Sequence, residues 1–70
     1  MQFYFFNDNV DEHNRHEVHT DDCKFLPDIF HRTYIGLEDS CRAAITIAKK
    51  EYPEKSFDGC YYCCRLCHKG

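Results

Sequence analysis

The feature that most constrains this chain is the presence of six cysteines among only 70 residues. A chain of this length buries roughly 60% of the surface that its unfolded form exposes, so its hydrophobic core alone supplies little net stability. Disulfides or a bound metal must therefore stabilise the fold. The length also excludes a multidomain enzyme, a dinucleotide-binding fold, a (β/α)8 barrel and a coiled coil, because the sequence offers a single well-defined helix.

The choice between metal and disulfides depends on the compartment. The apolar run at the start, Phe3 to Phe6, has only four residues. A secretory signal needs about 7 to 15 apolar residues and a membrane span needs about 20. We therefore expect a cytoplasmic protein with no membrane association. Clustered cysteines in a reducing compartment are more often metal ligands than disulfides, so a metal is favoured and a disulfide framework is the alternative.

Two short motifs have the spacing of zinc ligands. One is His19-x3-Cys23 and the other is Cys60-x2-Cys63. Zinc prefers tetrahedral coordination by thiolate and imidazole, and a spacing of two to four residues lets one tight turn direct both ligands to the same ion. Gly59 fits a sharply turning zinc knuckle before the second pair. The sequence thus predicts one structural Zn²⁺ bound by His19, Cys23, Cys60 and Cys63.

Three cysteines lie outside this predicted site. Cys64 and Cys67 form a further Cys-x2-Cys pair beside His68, and a second metal, a disulfide or buried thiols all remain open for them. Cys41 begins a helix, where the dipole lowers a thiol pKa, but it also begins the apolar stripe of that helix, so core packing is favoured over reactivity. The remaining histidines, His13, His16 and His31, are expected at the surface.

The pattern of apolar residues predicts an α+β fold with two or three short antiparallel strands. One helix from about Ser40 to Tyr52 has a single apolar stripe and ends before Pro53. Aromatic and β-branched residues mark the strands, whereas Asn/Asp-rich and polar stretches mark turns. The expected strands are Gln2–Phe6, Glu17–His19 and Thr33–Gly36, and the expected turns are Asn7–Arg15 and Glu54–Asp58. We expect one zinc-binding domain over 1–70, with a strand and acidic loop over 1–16 and the zinc-binding core over 17–70.

The two motifs and the elements between them resemble the metal-binding domain of the Ada type, a family named for a bacterial DNA-repair protein. The shared features are His19-x3-Cys23, the strand Thr33–Gly36, Asp39-Ser40 leading into Ala43–Ile45, and Cys60-x2-Cys63, over about residues 17 to 64. Short uncharacterised bacterial proteins look similar. In the methyl-accepting member the first ligand is a nucleophilic cysteine, whereas this chain has His19. The resemblance therefore implies an auxiliary zinc module, structural or associated with nucleic acid, and not alkyl transfer.

Charge is unevenly distributed, since residues 1–22 sum to −5 and residues 41–70 to +3. The C-terminal charge is modest for a nucleic-acid binder. We nevertheless expect a monomeric, non-enzymatic module that binds nucleic acid or a protein through basic and aromatic residues, namely Arg42, Lys49, Lys50, Tyr61, Tyr62 and Arg65. The alternatives are a thiol-based redox or alkyl-acceptor protein using Cys41, Cys64 or Cys67, and a protein framed by disulfides.

Overall fold

The computed structural model describes residues 1–70 and confirms the α+β class. The chain forms four strands, one α-helix and two 3-10 turns. These are β1 (Gln2–Val10), β2 (His16–Thr20), a 3-10 turn (Ile29–His31), β3 (Arg32–Glu38), α1 (Cys41–Glu51), β4 (Phe57–Gly59) and a second 3-10 turn (Arg65–Cys67). No helix has the length and apolar character needed to cross a membrane.

The four strands form one mixed sheet in the order β3-β1-β2-β4. β1 is antiparallel to both β2 and β3, whereas β2 and β4 run parallel. Side chains alternate between the two faces of a strand. Tyr4 and Phe6 are accordingly buried in the core, whereas Phe3 lies on the opposite face and is exposed. The N-terminal strand thus lies inside the sheet that carries the rest of the fold.

The sheet is larger than the sequence predicts. The stretch Asn7 to Val10 was expected in a loop, but it continues β1 because Asn7 pairs with Arg32 and Val10 with His16. Strand pairing on both sides overrides the low β-propensity of Asn and Asp. β4 falls partly within the predicted turn Glu54–Asp58. A strand of three residues is too short to give a periodic signal, and it is held by pairing with β2.

The helix matches its prediction to within a residue at each end. The Ser40 hydroxyl caps it by accepting a hydrogen bond from the Ala43 N–H at 3.1 Å. Ala44 and Ala48 are buried against the sheet, where small side chains allow close packing, and Ile45 and Tyr52 are partly buried beside them. The core beneath the helix consists of Tyr4, Phe6, Val18, Ile35, Phe57 and Cys64.

Candidate metal centre

The parallel pairing of β2 and β4 brings the two predicted ligand motifs together. Val18 is paired with Gly59. The residues that follow them, His19 in β2 and Cys60 directly after β4, therefore lie at the same edge of the sheet. Each strand is followed by a turn that carries the second member of its motif, Cys23 or Cys63. Two stretches that are 36 residues apart in the sequence therefore meet at one place.

The four side chains have the spacing of a tetrahedral metal site. One ligand atom from each of His19, Cys23, Cys60 and Cys63 lies within 4.8 Å of all the others. Cys23 Sγ is 3.9 Å from Cys60 Sγ and 3.6 Å from His19 Nδ1. Zinc–sulfur bonds of about 2.3 Å and zinc–nitrogen bonds of about 2.0 Å, at tetrahedral angles, give S···S and S···N separations of about 3.8 Å and about 3.5 Å. The donor set and its dimensions fit a metal ion such as zinc.

A carboxylate lies beside the histidine ring on the side away from the thiols. His19 is buried, and its Nε2 lies 3.4 Å from Glu17 Oε1. This Nε2 has no hydrogen-bond partner. Because Glu17 and His19 are two residues apart on β2, they share one face of the strand. The carboxylate favours a proton on Nε2, which leaves the Nδ1 lone pair free for a ligand on the sulfur side.

The three thiols of the cluster have raised pKa values. Burial raises the pKa of Cys60 to about 12, against opposing hydrogen bonds from the backbone amides of Cys63 and Tyr62. Burial also raises the pKa of Cys23. For Cys63 the main cause of the raised pKa is the hydrogen bond that its thiol donates to Cys64, with burial second. Without a bound cation these three thiols are protonated, so a metal ion must displace their protons when it binds.

Backbone amides and a fourth thiol surround the sulfurs. The Thr20 N–H donates to Cys63 Sγ and the Phe25 N–H donates to Cys23 Sγ, both at 3.4 Å. Cys64 is buried in the core, and its Sγ accepts from Cys63 Sγ at 3.8 Å. This bond lowers the Cys64 pKa. Of the alternatives open for Cys64, a buried thiol is the one observed.

Cys41 and Cys67 are joined by a disulfide. This corrects the expectation that Cys41 is a core thiol and separates Cys67 from its sequence neighbour Cys64. The bond ties the first residue of α1 to the second 3-10 turn near the chain's end. A framework of three disulfides is not observed, because Cys23, Cys60, Cys63 and Cys64 are free thiols.

The other histidines do not join the cluster. His13 and His31 are exposed, as expected. The prediction for His16 is wrong, because it is buried on the core face of β2 against Phe6 and Phe57. Its Nδ1 donates to the Asn7 carbonyl at 2.8 Å. His68 is partly buried, and its Nδ1 donates to the Gly59 carbonyl at 2.9 Å.

Gly59 has a steric role rather than a conformational one. Its φ is not positive, so the backbone there requires no special conformation. A Cβ at this position would instead lie 2.6 Å from the Cys64 carbonyl oxygen and 2.7 Å from Cys67 Cβ. The glycine allows the C-terminal segment to pass directly over β4 and close the site.

The aromatic residues of the second motif lie on the surface beside the cluster. The Tyr62 ring stacks on Phe25 with centroids 4.5 Å apart, and Tyr61 packs edge-on against Tyr62 at 5.2 Å. Arg65 lies over the Tyr61 ring at 4.8 Å, and Lys24 lies 5.4 Å from the Phe25 ring centre. All three rings are substantially exposed. We call Phe25, Tyr61 and Tyr62 the aromatic platform.

The sequence does not identify three residues that contribute to the site or its surroundings. These are Glu17 beside His19, Phe25 in the aromatic platform, and Asp58. The buried Asp58 carboxylate accepts from the Lys69 N–H at 2.6 Å and lies 3.7 Å from Arg15. It thus fixes the C-terminal segment on β4. The i, i+2 spacing of Glu17 and His19 was a usable signal, whereas Asp58 gave none because its strand was not predicted.

Comparisons with protein-family models, with curated proteins and with solved structures found no match to this chain. The resemblance to Ada-type domains therefore stays a prediction.

Proposed function

We propose that this chain is a zinc-stapled binding module in which one Zn²⁺ is held by His19, Cys23, Cys60 and Cys63. The observation that carries the proposal is the convergence of three thiols and one imidazole within 4.8 Å, at separations suited to tetrahedral coordination. Borderline-soft zinc matches this nitrogen and sulfur donor set. The proposal includes the Ada-like zinc knuckle that the sequence predicts, and the proximity of the four side chains supports it.

The role of the metal is structural. Four protein ligands leave no open position for water or substrate, so the site does not support hydrolysis. Structural zinc in small peptides contributes about 10–16 kcal/mol of apparent binding free energy, which exceeds the typical net stability of a small domain. Folding of the C-terminal half thus depends on the ion, because Cys60 and Cys63 lie in the segment that closes the fold.

Chelation followed by NMR tests this dependence. Removing zinc from the disulfide-intact protein is expected to collapse the amide dispersion of residues 57–70, and adding one equivalent of Zn²⁺ restores it. His19→Ala should reproduce the zinc-free spectrum, and the exposed His31→Ala is the matched control that should not. A dispersed native spectrum in a demonstrably zinc-free sample would refute the proposal.

The aromatic platform supports a binding role, with single-stranded nucleic acid as the partner. Exposed rings accompanied by Arg65 and Lys24 offer stacking surfaces and positive charge, the combination used to bind unpaired bases. Of the predicted contact residues, Tyr61 and Tyr62 belong to this platform and Arg65 lies over the Tyr61 ring. Arg42, Lys49 and Lys50 lie on α1. A protein partner is the other outcome of the test.

A fluorescence anisotropy titration with single-stranded oligonucleotides at low and high salt distinguishes the two partners. We expect binding that weakens with salt and that Tyr62→Ala reduces, whereas Tyr34→Ala, which removes an exposed tyrosine on β3, leaves it unchanged. Absence of binding at low salt would remove nucleic acid and leave a protein partner.

The disulfide favours a second candidate, a thiol-based redox role for Cys41 and Cys67. A dithiol donor would supply two electrons and two protons, giving two cysteine thiols and an oxidised donor. Disulfides persist mainly in oxidising compartments, so the predicted cytoplasmic location and a permanent disulfide are mutually unfavourable. Measuring the reduction potential of the pair against a glutathione buffer decides between a reducible switch and a permanent bond.

A further inference from the structure

A cavity of about 310 Å³ lies between α1 and the C-terminal segment. Its helix side is formed by Arg42, Ile45, Thr46 and Lys49, and residues 66–69 form the other side. Arg42, Ile45 and Lys49 follow the i, i+3, i+7 spacing that places residues on one face of a helix. The volume is at the lower end of the range for small-molecule sites. We call this space the tail cleft.

The tail cleft is positively charged. Arg42, Lys49 and Lys69 line it, together with His68, and no carboxylate is among the lining residues. None of these three cations forms an ion pair. The nearby Asp58 is already engaged by the Lys69 backbone amide and by Arg15, and its Oδ2 also lies 3.8 Å from His68 Nδ1. Three unpaired cations around one concave space repel each other, and an anion with more than one charge would relieve that repulsion.

Both sides of the cleft are held in place. The Cys41–Cys67 disulfide joins them directly, next to Arg42 on one side and His68 on the other. The hydrogen bond from His68 Nδ1 to the Gly59 carbonyl fixes the imidazole and leaves Nε2 as its remaining polar atom. The backbone segments that carry the cations are therefore placed before a ligand arrives, which lowers the entropy cost of binding.

The position of the cleft relates it to the aromatic platform. His68 lines the cleft and also packs edge-on against Tyr61, with ring centroids 5.4 Å apart. A ligand whose phosphate occupies the cleft would thus lie near the exposed Tyr61 ring, because that ring packs against His68 of the cleft lining.

We propose that the tail cleft binds a terminal phosphate group, a phosphomonoester, through Arg42, Lys49 and Lys69. Such a group carries close to two negative charges at neutral pH and three acceptor oxygens, whereas an internal phosphodiester carries one charge. The source of the phosphate is either the 5′ end of a single strand or a small phosphorylated molecule. The first source rests on the proposed nucleic-acid function, whereas the second does not.

An NMR titration of the zinc-loaded, oxidised protein tests the proposal. The probes are potassium phosphate, with potassium chloride at equal ionic strength as the blank, and a tetranucleotide with either a 5′-phosphate or a 5′-hydroxyl. We expect saturable shifts at the amides of residues 42, 46, 49, 68 and 69. Tighter binding of the phosphorylated tetranucleotide than of inorganic phosphate supports the strand end, and equal binding supports a small phosphorylated ligand.

A lysine outside the cleft provides the matched control. Lys49→Gln, which removes a cation from the cleft lining, should weaken phosphate binding about fivefold, the effect of losing one partly exposed charge pair. Lys55→Gln removes the same charge from a residue that does not line the cleft, and should leave binding nearly unchanged. The double variant Cys41→Ser, Cys67→Ser should also weaken binding, because the two sides are no longer joined.

Two results would overturn the proposal. One is the absence of saturable phosphate binding at low salt in a sample with full zinc content, which leaves the zinc proposal intact. The other is an equal loss of binding in Lys49→Gln and Lys55→Gln, which would mean that general charge and not the cleft attracts the anion. Phosphate binding in a chain that takes up no zinc would support the cleft and refute the metal proposal alone.

Discussion

Glu17 is the residue that determines how the imidazole is presented to the cluster. Its Oε1 lies 3.4 Å from His19 Nε2, and His19 Nδ1 lies 3.6 Å from Cys23 Sγ. The carboxylate therefore acts on the ligand and not on the ion. Desolvation by burial raises the pKa of Glu17, so ionising this carboxylate costs more here than in water.

Glu17→Gln should weaken zinc binding by about 10- to 100-fold, because partners of this kind orient the ring and increase its basicity. Competition with a chromophoric chelator measures the affinity, and ¹⁵N chemical shifts of the His19 ring report its tautomer. Glu12→Gln, which changes an exposed acid in the preceding loop, is the control. An unchanged affinity and tautomer in Glu17→Gln would mean that the carboxylate does not position the ring.

Gly59→Ala should destabilise the zinc-loaded protein by about 3 kcal/mol, at the upper end of the range for overpacking. The added Cβ would meet backbone atoms of Cys64 and Cys67, which cannot move without displacing the segment that carries Cys63. Urea denaturation measures the change. Gly36→Ala is the control, since its Cβ would meet only the end of the flexible Glu38 side chain, and a similar loss there would contradict the steric explanation.

At the level of elements, three constraints hold the C-terminal segment on the sheet and helix. β4 pairs in parallel with β2, Asp58 accepts from Lys69, and the Cys41–Cys67 disulfide joins the last turn to the start of α1. Of these, only the pairing of β4 with β2 positions a candidate metal ligand, because it brings Cys60 beside His19. The other two hold the surface that contains the tail cleft.

Removing the disulfide by Cys41→Ala with Cys67→Ala should lower the free energy of unfolding of the zinc-loaded protein by about 3 kcal/mol. The bond closes a loop with a sequence separation of 26, and the estimate follows from the loop entropy that it removes from the unfolded chain. Urea denaturation of both forms in excess zinc measures it. A loss below about 1 kcal/mol would mean that the metal already restrains the same loop.

The elements that the sequence predicts well are those with a local signal. The α1 boundaries follow from the Ser40 cap and from the apolar stripe containing Ala44 and Ala48, both of which lie within one short stretch. β4 and the second half of β1 escaped prediction because non-local pairing, with β2 and β3, makes them strands. The same distinction explains His16, whose burial depends on Phe57 across the sheet.

The same distinction between local and non-local signals applies to the candidate site. The spacing within each motif identified His19, Cys23, Cys60 and Cys63, since a pair in one turn is a local property. The Cys41–Cys67 pairing required the helix and the C-terminal turn to be placed in space, which no spacing rule supplies. The spacing does not decide whether Tyr61 and Tyr62 cover a metal or face solvent, and only their exposure in the folded chain, with Tyr62 stacked on Phe25, distinguishes these outcomes.

For the whole molecule, zinc binding should depend on pH through the thiols. Because the pKa values of Cys23, Cys60 and Cys63 are all raised, each is protonated at pH 7 without metal. Binding should therefore release about three protons per zinc, and the affinity should fall as the pH is lowered. Titration in weak buffer with a pH indicator counts the protons. Release of fewer than two would contradict a three-thiolate site.

Native mass spectrometry, combined with metal analysis of the same sample, tests the central claim most directly. We predict a monomer that carries one zinc ion, contains one disulfide, and loses the metal when Cys60 and Cys63 are both replaced by serine. A purified, folded protein without zinc, or one in which that double replacement leaves zinc content unchanged, would contradict the account.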